Sequence, residues 1–410
     1  MASFPSIPSA PTSASADRRT MPVIVSAVRT PIGAFNGGLS ELPATKLGSF
    51  AIAEALARIG LPPDRIDQVY MGCVYAAGLG QAPARQAAIG AGLPVSVPAT
   101  TVNKVCGSSL MTTIMASQAV RLGEARIIVA GGMESMSRAP HLLERSRQGY
   151  PIGHAQLIDS MIKDGLWDVY NDFHMGEGGE RCAAKYGLTR QELDDYTLES
   201  YGRARRAIAT GAFKRELVTI EVPQSKGRTR HVAEDEEPNR VDLAKLRTLK
   251  PAFRPDGLLT VGNSPSCNDG AAALVVMAEA EAETLGLKPL ARIVAYAGTA
   301  IEPEWFTLAP IHAITKLLKQ TGLSLADIDL FEINEAFSAI SIAINRELGL
   351  DPMKVNIHGG AVALGHPIGA TGARILTTLL YAMEARDARR GLATLCIGGG
   401  EALAILLERP

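Results

Sequence analysis

From Met21 onwards, short apolar runs alternate with longer stretches in which small and apolar residues recur at helical spacing. Residues 23–28 read as a strand, 45–59 as a helix stopped by Gly60, and 66–72 as the next strand. Such alternation predicts a parallel sheet covered on both faces. The order then recurs. Residues 291–296 answer to the first strand and 311–321 to the helix. Ile66-Asp67 answers to Ile328-Asp329, 102–107 to 355–360, 125–134 to 392–401, and 271–276 to 402–407. Matches in one order mark a unit written twice.

The first copy is interrupted. Between Ser137 and Asn268 the texture turns to charged clusters and Tyr150-Pro151, with a helical stretch over Arg190–Thr210. So long an insertion is a small subdomain and not a plain loop. In layered α/β folds insertions gather at the strand ends where ligands bind, so this one is expected to cover the site. The chain then divides into a tail over 1–20, a first half over 21–137 plus 268–287, an inserted domain over 138–267 and a second half over 288–410.

Composition narrows the function classes. Hydrophobic residues at 47% supply large cores and exclude wholesale disorder. A net charge of -1 argues against nucleic-acid binding. No apolar run has the ~18–20 residues of a membrane helix. Five scattered cysteines without a CxxC pair or HExxH motif give neither a disulfide framework nor a zinc site, and point to a reducing cytosol. The first twenty residues are rich in Ser, Ala and Pro and read as a disordered tail, with an organelle transit segment as the alternative.

The candidate chemistry lies at strand ends. Cys106 follows one strand and opens a helix-like stretch over 107–120, where backbone N–H groups and the helix dipole lower a thiol's pKa. That is a nucleophile's position; an inert buried thiol is the alternative. His366 sits in a glycine-rich run, fixed by Pro367, and suits a general base. The run matches neither GxxxxGK[ST] nor GxGxxG, so it is not a phosphate loop. Cys396 ends a strand before Gly398-Gly399-Gly400, as a second reactive thiol, and the Gly398 N–H suits an oxyanion donor. Asn334 ends the strand over 329–333, either to orient a water or as a turn residue.

In these motifs the chain resembles the thiolase family, in its acetyl-CoA C-acetyltransferase branch. The resemblance runs from 21 to 407 and rests on VNKVCGS from Val102, GGMESMS from Gly131, NEAF from Asn334, GHPIG from Gly365 and CIGGG from Cys396, in the family's order. It implies two duplicated βαβαβαββ halves in a five-layer αβαβα thiolase fold, with an inserted loop domain for CoA binding and oligomerisation. It implies reversible condensation of two acetyl-CoA to acetoacetyl-CoA plus CoA, ping-pong through a Cys106 acyl-enzyme, with no metal or redox cofactor. His366 then activates Cys106 and Cys396 is the acid/base. His366 and an Asn334-held water form one oxyanion site; the N–H groups of Cys106 and Gly398 form the other. The same resemblance assigns Leu166, His174, Met175, Leu249, Phe253, Ala336 and Phe337 to the pantetheine channel and Arg240 to the CoA phosphates. A cytoplasmic homotetramer is expected.

Two positions depart from the family pattern. Ser109 stands where glycine is usual, and Pro265 stands at the pantetheine-contacting serine, with neither hydroxyl nor N–H to offer. The alternatives are a longer-chain 3-ketoacyl-CoA thiolase, a β-ketoacyl synthase-like condensing enzyme, against which Cys396 speaks, and a non-catalytic scaffold, against which the full catalytic set speaks.

Overall fold

The structure is a computed structural model that describes residues 19–410; the readings made of residues 1–18 lie outside the described residues. The first half runs β1 (Pro22–Arg29), α1 (Ala44–Ala57), β2 (Gln68–Gly72), α2 (Pro83–Gly90), β3 (Ala99–Val102), α3 (Ser108–Leu122) and β4 (Ile127–Ser135). The insertion carries α4 (Met175–Lys185) and α5 (Arg190–Thr210), and β5 (Asn268–Ala278) then completes the half. The second half runs β6 (Ala291–Ala300), α6 (Ala309–Thr321), β7 (Leu330–Ile333), α7 (Ser338–Leu348), α8 (Thr371–Ala385), β8 (Arg390–Ile397) and β9 (Glu401–Glu408). Helix ends follow local chemistry. A Thr189–Glu192 capping box starts α5 and left-handed Gly211 stops it.

The main strands pair in the order β7-β8-β9-β6-β1-β5-β4-β2-β3. Read outward from the β6–β1 joint, both halves follow the same path. The joint itself is short, pairing Val23 with Arg292 and Ile24 with Ala291. Matching bulges, between Ile24 and Ser26 and between Ile293 and Ala295, mark the duplication. The counterpart of β3 has shrunk to a single bridge from Phe331 to Val355.

The sheet is mixed, which corrects the expectation of a parallel one. β2 pairs parallel with β3 and β4, and β7 with β8. The β4–β5, β1–β5, β8–β9 and β6–β9 pairs are antiparallel. A three-glycine turn joins β8 to β9, and so tight a connection leaves only the antiparallel arrangement. The first half keeps that pairing although the whole insertion separates its two strands.

The register of the repeat also needs correction. Asp67 Oδ2 accepts from the N–H groups of Arg126 and Ile127 at 2.7 and 2.9 Å. Asp329 Oδ2 accepts from Arg389 and Arg390 at 2.8 Å each. Arg126 therefore corresponds to Arg389, and the glycine-led match of 125–134 with 392–401 is out by four residues. In the true register Met133 falls on Cys396 and Gly72 on Asn334. The two thiols, Cys106 and Cys396, thus do not occupy equivalent strand ends.

Strand alternation builds the layers. Ala271, Ala273 and Val275 of β5 face α1 and α2, whereas Ala272, Leu274 and Val276 face α3 and α8. In β9, Leu403, Ile405 and Leu407 join that same central cluster, while Ala402, Ala404 and Leu406 face α6 and α7. The result is five layers, helices–sheet–helices–sheet–helices, with α3 and α8 at the centre. Cys106 precedes α3 and His366 precedes α8, so both reach one site from the middle layer. No helix among the described residues is long and apolar enough to cross a membrane.

Candidate active site

The segment between β3 and α3 is tightly tied. Ser108 Oγ accepts from the Lys104 N–H at 2.9 Å and donates to the Val105 carbonyl at 2.7 Å. Val105 has φ 47°, a left-handed conformation that strains a β-branched residue and turns the chain sharply just before Cys106. Backbone strain at that point is a common signature of a reactive position. The N–H groups of Gly398 and of Cys106 itself favour the thiolate form of the Cys106 sulfur.

His366 is anchored across the halves. Its N–H donates to Asn268 Oδ1 at 2.9 Å, and Gly365, at φ 102°, has no room for a Cβ against the same asparagine. Nδ1 lies 2.7 Å from Thr371 Oγ1, which gives its only proton to the Pro367 carbonyl at 2.9 Å. The hydroxyl must therefore accept, so Nδ1 carries the ring proton and Nε2 a bare lone pair. Nε2 is buried and has no protein partner among the described residues. The Asn334 amide is in the same state among them, with neither Nδ2 nor Oδ1 engaged although the residue is 1% exposed. Unpaired buried polar atoms are costly, and their normal explanation is a water or a ligand.

Cys106, His366, Cys396 and Gly398 line one cavity of about 390 Å3. Leu166, His174, Met175, Phe253, Ala336 and Phe337 line it as well. The aromatic wall is ordered: the His174 and Phe253 rings stack at 5.1 Å, and Phe253 meets Phe337 edge-on at 6.0 Å. His174 also caps α4, its Nδ1 accepting from the Gly176 N–H at 3.0 Å. Pro265 lies on the cavity wall between Ser264 and Ser266.

Other residues fall outside this cavity. Leu249 is half-buried and packs toward Gly262, with its carbonyl taken by Arg190 at 2.9 Å. Arg240 is exposed in a separate cleft with Arg230, Glu234, Asp235 and Glu236. Ser109, at the other departure from the family pattern, is fully buried and its Oγ accepts from the Ala373 N–H at 2.9 Å, pinning α3 to α8.

Burial dominates the electrostatics. It pushes the Cys106 thiol up to about 11, against the pull of the two N–H groups, and Cys396 well above the ordinary range. It brings His366 down to about 3, with help from the positive charge of Arg374. The resting site therefore holds neutral thiols and a neutral imidazole. The low thiol pKa expected from the helix start does not appear: the helix begins only at Ser108, and burial outweighs the pull of the two N–H groups.

Several supporting residues were not singled out from the sequence. Glu134, fully buried, accepts from the N–H groups of Val74, Tyr75 and Gly369 at 3.1, 3.1 and 2.9 Å and so ties the histidine loop to the first half. Glu335 accepts from Tyr196, Ser200, Asn356 and the Val362 N–H, joining α5 of the insertion to the Asn334 loop. Each is a carboxylate in a largely apolar or glycine-rich run, the signal that flags a buried acid. Met136, Cys267 and Ile368 complete the wall around Cys106. Among the described residues no cluster of three or more His, Cys, Asp or Glu could hold a metal ion.

Comparison with known proteins agrees with this geometry. The family model "Thiolase, N-terminal domain" matches residues 22–280, and "Thiolase, C-terminal domain" matches 287–409. Acetyl-CoA acetyltransferase of Pseudomonas aeruginosa is 51% identical over 94% of this chain and 99% of its own length. The enzyme of that name from Schizosaccharomyces pombe is 48% identical, over 94% and 98%. Among solved structures, the Bacillus anthracis acetyl-CoA acetyltransferase has a TM-score of 0.92 at 39% identity, covering 95% of this chain and 99% of that one. The Acat5 thiolase of Ascaris suum in complex with coenzyme A has a TM-score of 0.90 at 44% identity, covering 95% and 100%. With both family models matching in sequence order and together spanning the two halves, the chain belongs to the thiolase family.

Proposed function

We propose that the protein catalyses the reversible condensation of two acetyl-CoA to acetoacetyl-CoA and CoA. The observation that carries this reading is the meeting of two thiols, a bare imidazole nitrogen and the Gly398 N–H around one cavity. In the first half-reaction His366 Nε2 takes the Cys106 proton and the sulfur attacks the thioester carbonyl. The N–H groups of Cys106 and Gly398 stabilise the oxyanion, the C–S bond to CoA breaks, and Cys396 protonates the departing sulfur. In the second, the Cys396 thiolate removes an α-proton from another acetyl-CoA. The enolate oxygen is held by the imidazolium Nε2–H and a water on Asn334. The carbanion attacks acetyl-Cys106, whose sulfur leaves and recovers its proton from His366. Protons and electrons balance without a metal or redox cofactor.

The stacked His174–Phe253 wall suits a narrow apolar arm such as pantetheine, with Leu166, Met175, Ala336 and Phe337 around it. Pro265 in that wall offers the arm packing, with neither a hydroxyl nor an N–H of its own. Exposed Ile152, Leu157, Val169 and Tyr170 in the insertion, and β3 at the sheet edge, offer surfaces for self-association, and a homotetramer is part of the proposal. Cys73, Cys106, Cys182, Cys267 and Cys396 are all free thiols, which fits a reducing cytosol.

The test is incubation with acetyl-CoA followed by peptide mass mapping, which should place the acetyl group on Cys106. Acetylation only elsewhere removes the reading. Thiolysis rates across 3-oxoacyl-CoA chain lengths should peak at acetoacetyl-CoA.

A further inference from the structure

The third strand of the second half stops early, and one side chain takes the vacated place. In the first half β3 follows β2 to its end, where Val102 pairs with Gly72. In the second half the matching Val355 pairs with Phe331, three residues before Asn334. The chain then turns: Asn356 has φ 47°, a left-handed conformation that asparagine tolerates. Its backbone N–H donates to the Phe331 carbonyl at 2.9 Å. Beyond that bond the free edge of β7 is completed by the Asn356 side chain. Oδ1 accepts from the Ile333 N–H and Nδ2 donates to the Ile333 carbonyl, each at 2.8 Å. A side-chain amide that satisfies both backbone groups of one residue stands in for a neighbouring strand.

The same Nδ2 donates to Glu335 Oε1 at 3.1 Å. Glu335 also accepts from Tyr196 Oη at 2.9 Å and Ser200 Oγ at 2.8 Å, both on α5, and from the Val362 N–H at 3.1 Å. Asn356 and Glu335 are each 1% exposed. One buried amide therefore grips the residues on both sides of Asn334. Asn334 itself is bound through its backbone, its N–H donating to the Thr394 carbonyl and its carbonyl accepting from the Ala336 N–H, both at 3.0 Å. Its own amide has no partner among the described residues, so its aim is set by what holds its neighbours.

We propose that Asn356 is a positioning residue: by replacing the missing stretch of strand at Ile333 and bracing Glu335, it aims the Asn334 amide at the water that holds the enolate oxygen. The proposal rests on the reaction given above, in which that water serves only the second half-reaction. Acylation draws instead on the N–H groups of Cys106 and Gly398, which stand on other segments. A displaced Asn334 amide should therefore slow condensation and spare acetylation. General loosening of the fold would give no such split.

The experiment compares wild type, Asn356→Gly and the double variant Tyr196→Phe/Ser200→Ala. Glycine keeps the left-handed backbone and deletes the amide. The double variant removes the two α5 donors from Glu335 and leaves β7 untouched. For each protein the rate of Cys106 acetylation by acetyl-CoA is measured, then kcat and KM for acetoacetyl-CoA formation, and a crystal structure locates the Asn334 amide. A displacement of ~1 Å can cost ~10²-fold in rate, so Asn356→Gly should lose on the order of 10–100-fold in condensation kcat with KM unchanged. It should acetylate Cys106 within a few-fold of wild type and show the Asn334 amide displaced. The double variant should give the same split at smaller size, and it decides the matter should Asn356→Gly fail to fold. Equal losses in both half-reactions, undiminished condensation, or an Asn334 amide that stays in place overturns the proposal. A wild type that neither acetylates nor condenses would sink the proposed reaction, and the place of the amide in the variant crystals would still decide this inference.

Discussion

The two halves fold alike and carry different duties at matching positions. Where β8 places Cys396 in the cavity, β4 places Met133, fully buried beside Gly48. Where Asn334 follows β7, Gly72 stands at the end of β2, and its missing side chain leaves room for the Gly369 carbonyl. Gly132 yields to the same carbonyl: a Cβ there would lie 2.1 Å from it. The first half has cleared its strand ends so that the histidine loop of the second can settle on them. It contributes the nucleophile and, through its insertion, most of the substrate wall. The second half contributes His366, Cys396, Asn334 and the Gly398 N–H. Duplication supplied two copies of each strand end, and only one of each had to carry chemistry.

The comparison breaks most visibly at the nucleophile. Cys106→Ser should keep the fold and lose acetyl transfer by ~10⁴-fold or more, since a serine hydroxyl is a far weaker nucleophile. Retained burst acylation of that variant would move the nucleophile elsewhere. Next, Cys396→Ala should cost condensation ~10²–10⁴-fold while sparing acetylation of Cys106 more. Its structural counterpart, Met133→Leu, should leave activity near wild type and cost less than ~1.5 kcal/mol in a denaturant titration. Equal activity losses at the two positions would contradict the division of labour. Thr371→Val deletes the acceptor that sets the His366 tautomer; one buried hydrogen bond of about 1.4 kcal/mol corresponds to a tenfold loss of kcat. A variant as active as wild type would show that packing alone holds the ring.

The smallest effect is on stability against pH. Burial pushes Glu134 up to about 7 from an ordinary 4.5, whereas its counterpart Ile397 carries no charge. Between those values the folded protein keeps a proton that the unfolded chain releases, so stability falls as pH rises through that window. Glu134→Gln should flatten that part of the Tm-versus-pH curve. An unchanged slope would mean that Glu134 is ionised in the folded state.

Much of this was legible in the sequence because it is local. Continuous apolar runs marked β5 and β9, and the helical stretch over Arg190–Thr210 marked α5. Cys106, His366 and Cys396 stood out because reactive side chains rarely sit among glycines without cause. The repeat register slipped because Gly131-Gly132 and Gly398-Gly399 are the loudest matching letters and serve opposite ends: one pair lies inside a strand, the other makes a turn. Arg240 and Leu249 sit on stretches whose direction is set by the insertion's tertiary packing, which no spacing reveals. The neutral resting state of the site was hidden for a similar reason, since burial is a property of the assembled layers and not of a motif.

Asn268 shows what such an assembly permits over evolutionary time. It is the first residue of β5, where the chain returns from the insertion, and its side chain accepts from the His366 N–H and donates to the Gly33 carbonyl at 3.0 Å. A strand reverses its faces with every residue, so a single-residue insertion or deletion just before β5 would turn this amide away from the histidine loop. Lengthening or shortening elsewhere in the insertion leaves that return point untouched. The parts of the inserted domain that touch neither the cavity nor the Asn334 loop are thus free to be remodelled for new assembly partners, provided that its last few residues keep count.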